Sequence, residues 1–407
     1  MTRLRGVDGI RAIACLLIVF HHLSQRLPYQ AGLPFCGAFQ SVFLHPAQAG
    51  VSVFFVLSGM LLSWPFWRSY LNNEAMPGLK SYAIKRAARI IPAFYLVLIV
   101  SFIVEALFVP EQGYTSRRII SAFTFTSGFH YTTFFPTITD GPLWSISFEV
   151  FSYLLLPLFM FGMFVLPGKR KFQYGLFYWV LALAFVFFLN SLIITYLQPD
   201  NINRGWQYGI IGGAKFWVPY FNPVAFFAHF AMGIFAAGFI VWIDIHKEIQ
   251  ARLSRLKLFD IMAFTGLALF FLILWTQKYA PPFFRFSFQH QPYYYPFLAS
   301  SVAVILAFAP YSRIASKILA NGFFRFTAKI SFGLYLWHYL ILQLINLFVP
   351  EYRFLAFIIP ADAVDIAGIG KWFGLSVIAV SVTYILATVS WYALEKPILD
   401  RVHKKDG

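Results

Sequence analysis

Val7-Asp8-Gly9-Ile10-Arg11-Ala12-Ile13-Ala14-Cys15-Leu16-Leu17-Ile18-Val19-Phe20-His21-His22 is an apolar run interrupted by an acid, an arginine and two histidines. Its apolar residues read as a membrane span. Its ionisable residues do not suit an ordinary anchor. Within a bilayer such groups are costly, face a cavity or a partner, and mark a functional site by default. On an α-helix, Arg11 and His22 fall within about 20° of one another and about 16 Å apart along the axis. Asp8 lies within about 40° of His22 on the same stripe, and His21 points about a quarter-turn away. An ionisable stripe from the mouth of a span to past its middle reads as the wall of a conduit.

The rest of the chain is of the same kind. Of its 407 residues, 59% are hydrophobic and 12% charged, with a mean hydropathy of +0.69. A soluble domain of this size needs far more charged surface. Ten runs approach or exceed the roughly 20 apolar residues that cross a bilayer: 10–27, 50–67, 90–109, 143–166, 174–196, 223–244, 258–277, 295–310, 330–350 and 372–394. The stretch 118–135 is apolar but rich in Thr and Ser, and reads as an interfacial or re-entrant piece. The expected fold is all-α, a polytopic membrane protein with about ten transmembrane helices in a single domain over 1–407.

With the N-terminus inside, 23 of the 32 Lys and Arg residues, beginning with Arg3 and Arg5, fall in six cytosolic segments. That bias follows the positive-inside rule and places both termini in the cytosol. The formal net charge of +16 then reflects topology and anionic lipid headgroups. Its spread over six short loops argues against nucleic acid as a partner. The first run contains Arg11 and two histidines and lacks a small-residue cleavage site, so it is not a cleavable signal peptide. Cys15 in a span and Cys36 in an outer loop give neither a disulfide framework nor a metal pattern.

Further clusters interrupt the apolar runs. Arg86 and Arg89 are three residues apart and share a helix face at the cytosolic mouth, with Pro92 suited to the first turn of the next span. Paired guanidiniums suit a phosphate-rich ligand; as anchors they would need only charge, not a common face. Ser145, Glu149 and Tyr153 repeat at i, i+4, i+8 and put a polar stripe on an apolar span. A carboxylate so placed needs a partner, either another span's hydrogen-bonding group or a second buried ionisable group such as His22. Ser331, Tyr335 and His338 share a face, as packing residues or as part of a pore. Gly50 through Gly59 carries small residues that permit close helix packing. Glu395-Lys396-Pro397 reads as a helix stop. His229 and Asn190 read as structural, and Phe283-Phe284-Arg285-Phe286 and Tyr293-Tyr294-Tyr295 as interfacial anchors.

Taken in order, these motifs resemble the integral-membrane acyltransferase family 3, from Arg5 to Pro397. The residues that carry the resemblance are Asp8-Gly9-Ile10-Arg11 with His22, Gly50 to Gly59, Arg86-Ala-Ala-Arg89-Ile-Ile-Pro92, Pro142-Leu-Trp-Ser-Ile-Ser-Phe-Glu149, and Ser331 to His338 closed by Glu395-Lys396-Pro397. The family's arginine, ten residues, then histidine selects His22 over His21. Val150 stands where many members have a second glutamate, and no proline soon follows His338. The resemblance implies transfer of an acyl group, usually acetyl, from cytosolic acyl-CoA to a hydroxyl of an extracytoplasmic or membrane-bound glycan or lipid-linked sugar, in the bacterial cytoplasmic (inner) membrane. It implies His22 as general base, Arg11, Asp8 and Glu149 as its catalytic company, and Arg86 and Arg89 as the clamp on acetyl-CoA. Ser145, Tyr153, Tyr335 and His338 would line the pore. Direct transfer and an acyl-histidine intermediate both fit. A secondary transporter or flippase of a small anionic or glycan substrate is the rival reading, but no pair of Gly/Pro-broken spans in two related halves supports it.

Overall fold

The computed structural model describes residues 4, 6–27, 38–39, 43, 46–110, 113–166, 168–198, 200–279, 292–349 and 369–405. Arg3, Arg5, Cys36 and 283–286 lie outside the described residues. Among the described residues there is no strand, and nine helices are long and apolar enough to cross a membrane, or ten if one bent pair counts as a span.

The long helices are α1 (Val7–Ser24), α2 (Gly50–Leu71) and α3 (Leu79–Phe108), followed by a short α4 (Thr115–Phe123). Next come α5 (Trp144–Val165), α6 (Phe172–Tyr196), a short α7 (Gly209–Trp217), α8 (Pro223–Ile245), α9 (Lys247–Arg255) and α10 (Leu258–Tyr279). The chain ends with α11 (Phe297–Phe308), α12 (Arg313–Leu319), α13 (Gly322–Phe348), α14 (Ile369–Ser390) and α15 (Lys396–Lys405). Several starts are written in the local sequence. Asn222 accepts from the Ala225 N–H with Pro223 at the first helical position, and Asn321 accepts from the Phe324 N–H.

The centre of the bundle is the crossing of α2 and α8. A Cβ on Gly59 would overlap the Phe230 carbonyl oxygen, and one on Gly233 would overlap that of Val56. Glycine at both positions lets the two backbones touch, the close approach that replaces hydrophobic driving force in lipid. At the other extreme, α6 buries only 17% of its apolar window against 78% for α8. Its Phe177, Leu181, Phe185, Phe188 and Leu192 are exposed. On a soluble protein such a face would demand a partner; on this bundle it is the lipid face.

Three readings change. The run 295–310 does not form a straight span: α11 has twelve residues, rises about 18 Å, and turns by 97° into α12. Pro310 cannot continue the helix, and Ser312 caps the next one. Helix α3 begins at Leu79, well before residue 90, so Pro92 lies inside the helix instead of in its first turn. Its first turns carry Leu79, Lys80, Ala83, Lys85 and Arg86, all good helix formers. Tyr293 and Tyr295 are not interfacial anchors. Both are buried, with Tyr293 against Phe221 and Phe226 and Tyr295 against His229.

The stretch 118–135 is a non-spanning piece, as its composition suggests. After α4 the chain packs as an irregular plug with Thr132, Phe134, Thr137 and Asp140 buried. A buried Arg118–Glu105 ion pair ties it to α3, and Glu105 also accepts from the Ile138 N–H at 2.8 Å.

Candidate active site

The stripe on α1 serves two sites, one at each end of the helix. At its N-terminal half, Arg11 lines a cavity of about 120 Å³ with Ser58 of α2, Arg86 and Arg89 of α3, Ser145, Glu149 and Tyr153 of α5, and Ser331 and Tyr335 of α13. That volume is well above the roughly 15 Å³ one water requires, so the cavity is wet or takes a ligand. Eight residues singled out from sequence meet here: Arg11, Arg86, Arg89, Ser145, Glu149, Tyr153, Ser331 and Tyr335. Asp8 does not line it. Asp8 sits one turn earlier, within electrostatic reach of Arg11, on a separate cleft with Arg313, Lys317 and Arg325.

Glu149 accepts hydrogen bonds from the Tyr153 hydroxyl and, at 3.4 Å, from the Ser58 hydroxyl. It therefore faces Ser58 and Tyr153, not His22, because its turn of α5 packs at the level of Arg11. The Tyr335 hydroxyl donates its one proton to the Pro142 carbonyl at 2.6 Å, so Ser145, also at 2.6 Å, donates to Tyr335. These bonds pin α13 to the start of α5.

Arg89 is already held. It pairs with Glu395 at 3.1 Å, with Glu395 almost fully buried, and its guanidinium lies 5.4 Å from each of the Phe332 and Trp391 rings. Glu395 is thus more than a helix stop. A π-turn over Trp391–Glu395 shifts the register between α14 and α15 and turns this carboxylate inward. Arg86 is different: its Nε is buried without a partner.

Beyond the C-terminal half of α1 lies a second cluster. The partly exposed His22 has its ring 5.1 Å from that of His338 and 4.8 Å from that of Tyr339, and its Nδ1 is unpartnered. His338 gives its Nδ1–H to the Tyr335 carbonyl at 2.6 Å, which leaves Nε2 as an acceptor, and that atom has no partner. His21 makes its hydrogen bonds elsewhere, with the Phe43 carbonyl at 3.3 Å and Gln25 at 3.0 Å, although its ring lies 4.8 Å from that of His22. Tyr335 joins the two sites, since it lines the cavity while its ring lies 5.8 Å from His338. Among the described residues no group of three or more His, Cys, Asp or Glu is placed to hold a metal ion.

The Acyltransferase domain model of the acyltransferase 3 family matches residues 4–388. The chain belongs to the acyltransferase 3 family. With nine or ten membrane-length helices, it is an integral membrane protein of that family. It is similar to the Peptidoglycan O-acetyltransferase OatA of Listeria monocytogenes serovar 1/2a (strain ATCC BAA-679 / EGD-e), 24% identical over 97% of this chain and 55% of the relative. It is also similar to YrhL, a candidate peptidoglycan O-acetyltransferase of Bacillus subtilis (strain 168), 25% identical over 97% of this chain and 54% of the relative. The chain thus spans about half the length of the curated relatives it matches. No solved structure matches it significantly.

Sequence reasoning missed Arg26, Tyr339, Asp140 and Ser58. Arg26 had a signal, because it follows His22 by four residues and so shares its face. Asp140 stands immediately before Gly141-Pro142 and is wholly buried, with neither carboxylate oxygen bonded. Burial pushes its carboxyl well above the usual carboxylate range, toward the protonated form. Nothing local marks that position as buried.

Proposed function

We propose that the chain is a membrane O-acyltransferase that moves an acetyl group from acetyl-CoA, bound from the cytosolic side, to a hydroxyl of an extracytoplasmic or membrane-bound glycan or lipid-linked sugar. The membrane is the bacterial cytoplasmic membrane. The observation that carries this reading is the polar path along α1, from the arginine-lined cavity through Tyr335 to the His22–His338 pair. The activity named for the relatives supports peptidoglycan as the acceptor. The distribution of Lys and Arg supports the cytosolic position of the arginine end.

In this reading Arg86, with an unpartnered Nε, meets the donor's phosphates. Arg89, braced by Glu395, fixes the rim beside it. The cavity, at about 120 Å³, is too small for the donor's nucleotide, which stays at its mouth. Arg11 and the Glu149–Tyr153 pair form the polar wall past which the thioester travels. His22 then takes the proton of the acceptor hydroxyl as general base, a role imidazole fills near neutral pH. The acceptor oxygen attacks the thioester carbon, the C–S bond breaks, and the departing CoA thiolate takes the proton back from His22. His338, oriented by the Tyr335 carbonyl, keeps the second imidazole fixed against the first.

The test uses membranes from cells that make the full chain, supplied with acetyl-labelled acetyl-CoA, with label counted in envelope glycan. His22→Ala should abolish transfer at unchanged protein abundance, and His21→Ala should retain most of it. Equal losses would sink the assignment.

A further inference from the structure

Beside the histidine pair lies a buried arginine with no anionic partner among the described residues. Arg26, one turn past His22, is 1% exposed. Its Nη1 donates to the His22 carbonyl at 2.9 Å, and its guanidinium lies 5.1 Å from the Tyr339 ring centre. Its Nε and Nη2, which form one edge of the guanidinium, have no partner among the described residues. A guanidinium does not shed its proton, and a charge taken out of water without compensation is strongly unfavourable. The Tyr339 ring offsets only part of that. Two imidazoles within electrostatic reach of the Arg26 charge, His22 and His338, also keep an unpartnered nitrogen each. Two parallel donors without an acceptor, next to two imidazoles that each keep an open nitrogen, suit a site where negative charge develops during turnover.

We propose that Arg26 is a catalytic residue that donates from Nε and Nη2 to the thioester carbonyl oxygen of the acyl donor and holds the oxyanion. This rests on the acyl-transfer reading above. As the acceptor O–H breaks, its proton passes to His22 and its electron pair forms the new O–C bond. The C=O π pair moves onto the oxygen that Arg26 holds. Collapse restores C=O and breaks C–S, and the CoA thiolate recovers the proton from His22. Arg11 is about 16 Å back along α1 from His22, so it lies out of reach for this role.

Label transfer is measured against acetyl-CoA concentration in membranes carrying Arg26→Gln, Arg26→Lys or His22→Ala, with abundance and melting temperature followed for each. Loss of an oxyanion donor should lower the maximal rate about 100-fold or more in Arg26→Gln. The half-saturating acetyl-CoA concentration should stay within about threefold of the parent. Arg26→Lys keeps charge but not the paired edge and should recover only part of the rate. A maximal rate in Arg26→Gln within about threefold of the parent overturns the proposal, as does a raised acetyl-CoA requirement at full maximal rate. Loss that tracks a fallen melting temperature in both Arg26 variants also overturns it and leaves Arg26 as a cap on α1. His22→Ala separates the two claims. Retained transfer there removes His22 as base, whereas loss there with a normal rate in Arg26→Gln removes only Arg26.

Discussion

The crossing of α2 and α8 offers the sharpest test of the fold, through Gly59→Ala. The added methyl would overlap the Phe230 carbonyl oxygen and stand 2.8 Å from its carbonyl carbon. Carbon pairs rest at about 3.5 Å, so the carbon alone demands a retreat of about 0.7 Å, and the oxygen demands more. The obstacle is helix backbone, which cannot turn aside as a side chain would. A gap of that size forfeits a quarter to a half of each dispersion well, or about 2 kcal/mol for every 40 or so atom pairs opened. That agrees with the roughly 1–3 kcal/mol typical of overpacking. Gly233→Ala meets the same seam from the other side, against Val56 and the Met60 nitrogen at 2.5 Å. Once one methyl has parted the helices the second adds less, so the double variant should be destabilised by less than the sum of the singles. Gly78→Ala, with nothing within 4 Å of the new methyl, is the control. Thermal unfolding in detergent, followed by fluorescence-detected size exclusion, should rank Gly78→Ala near the parent, Gly59→Ala below it, and the double only slightly lower still. A Gly59→Ala melting temperature equal to that of Gly78→Ala would refute the backbone contact.

Other expected outcomes concern the arginine end. Arg86→Ala should raise the half-saturating acetyl-CoA concentration about 10- to 100-fold at unchanged abundance, the equivalent of one charged hydrogen bond. Titration of label transfer checks this, and a shift in abundance alone would make Arg86 an anchor. Glu395→Ala should lower the melting temperature by the equivalent of about 3 kcal/mol, because it strands Arg89 near a buried site. Replacing both partners, as Arg89→Met with Glu395→Leu, should recover much of that stability while transfer stays impaired. A double variant as unstable as the single would show that the pair does not act as a unit.

Much of the fold was legible because bilayer chemistry writes itself into composition. Long apolar runs are a local signal, and they located most helices. Where reading failed, the cause was non-local or a break too short to see. Pro310 stops the helix just after its twelve residues, so a run that otherwise counts as a span turns aside instead of continuing. Tyr293 and Tyr295 read as anchors because nothing near them in sequence says that α8 waits to cover them. In the site, face-sharing spacing picked out Arg86 with Arg89 and Ser145 with Glu149 and Tyr153, since helical periodicity alone puts them together. It left Glu149 between a hydrogen-bonding group of another span and His22, and only the structure chose Ser58, because depth along a neighbouring helix is not a property of either sequence segment.

The opening stripe shows the division most clearly. Sequence alone determined that Arg11 and His22 share one face of one helix about 16 Å apart, a consequence of helical geometry. It also determined that this face could not meet lipid. Only the packing of α1 against α2 and α13, with α3 and α5 closing the cavity, decided that the face opens on two places, a cavity around Arg11 and an imidazole pair around His22. Only packing buried Arg26 with one edge of its guanidinium unbonded, and Asp140 with neither carboxylate oxygen bonded, among the described residues. Periodicity fixes direction within a helix, whereas the neighbours that satisfy or strand a charge come from distant segments, whose relative depth and rotation emerge only when the bundle closes.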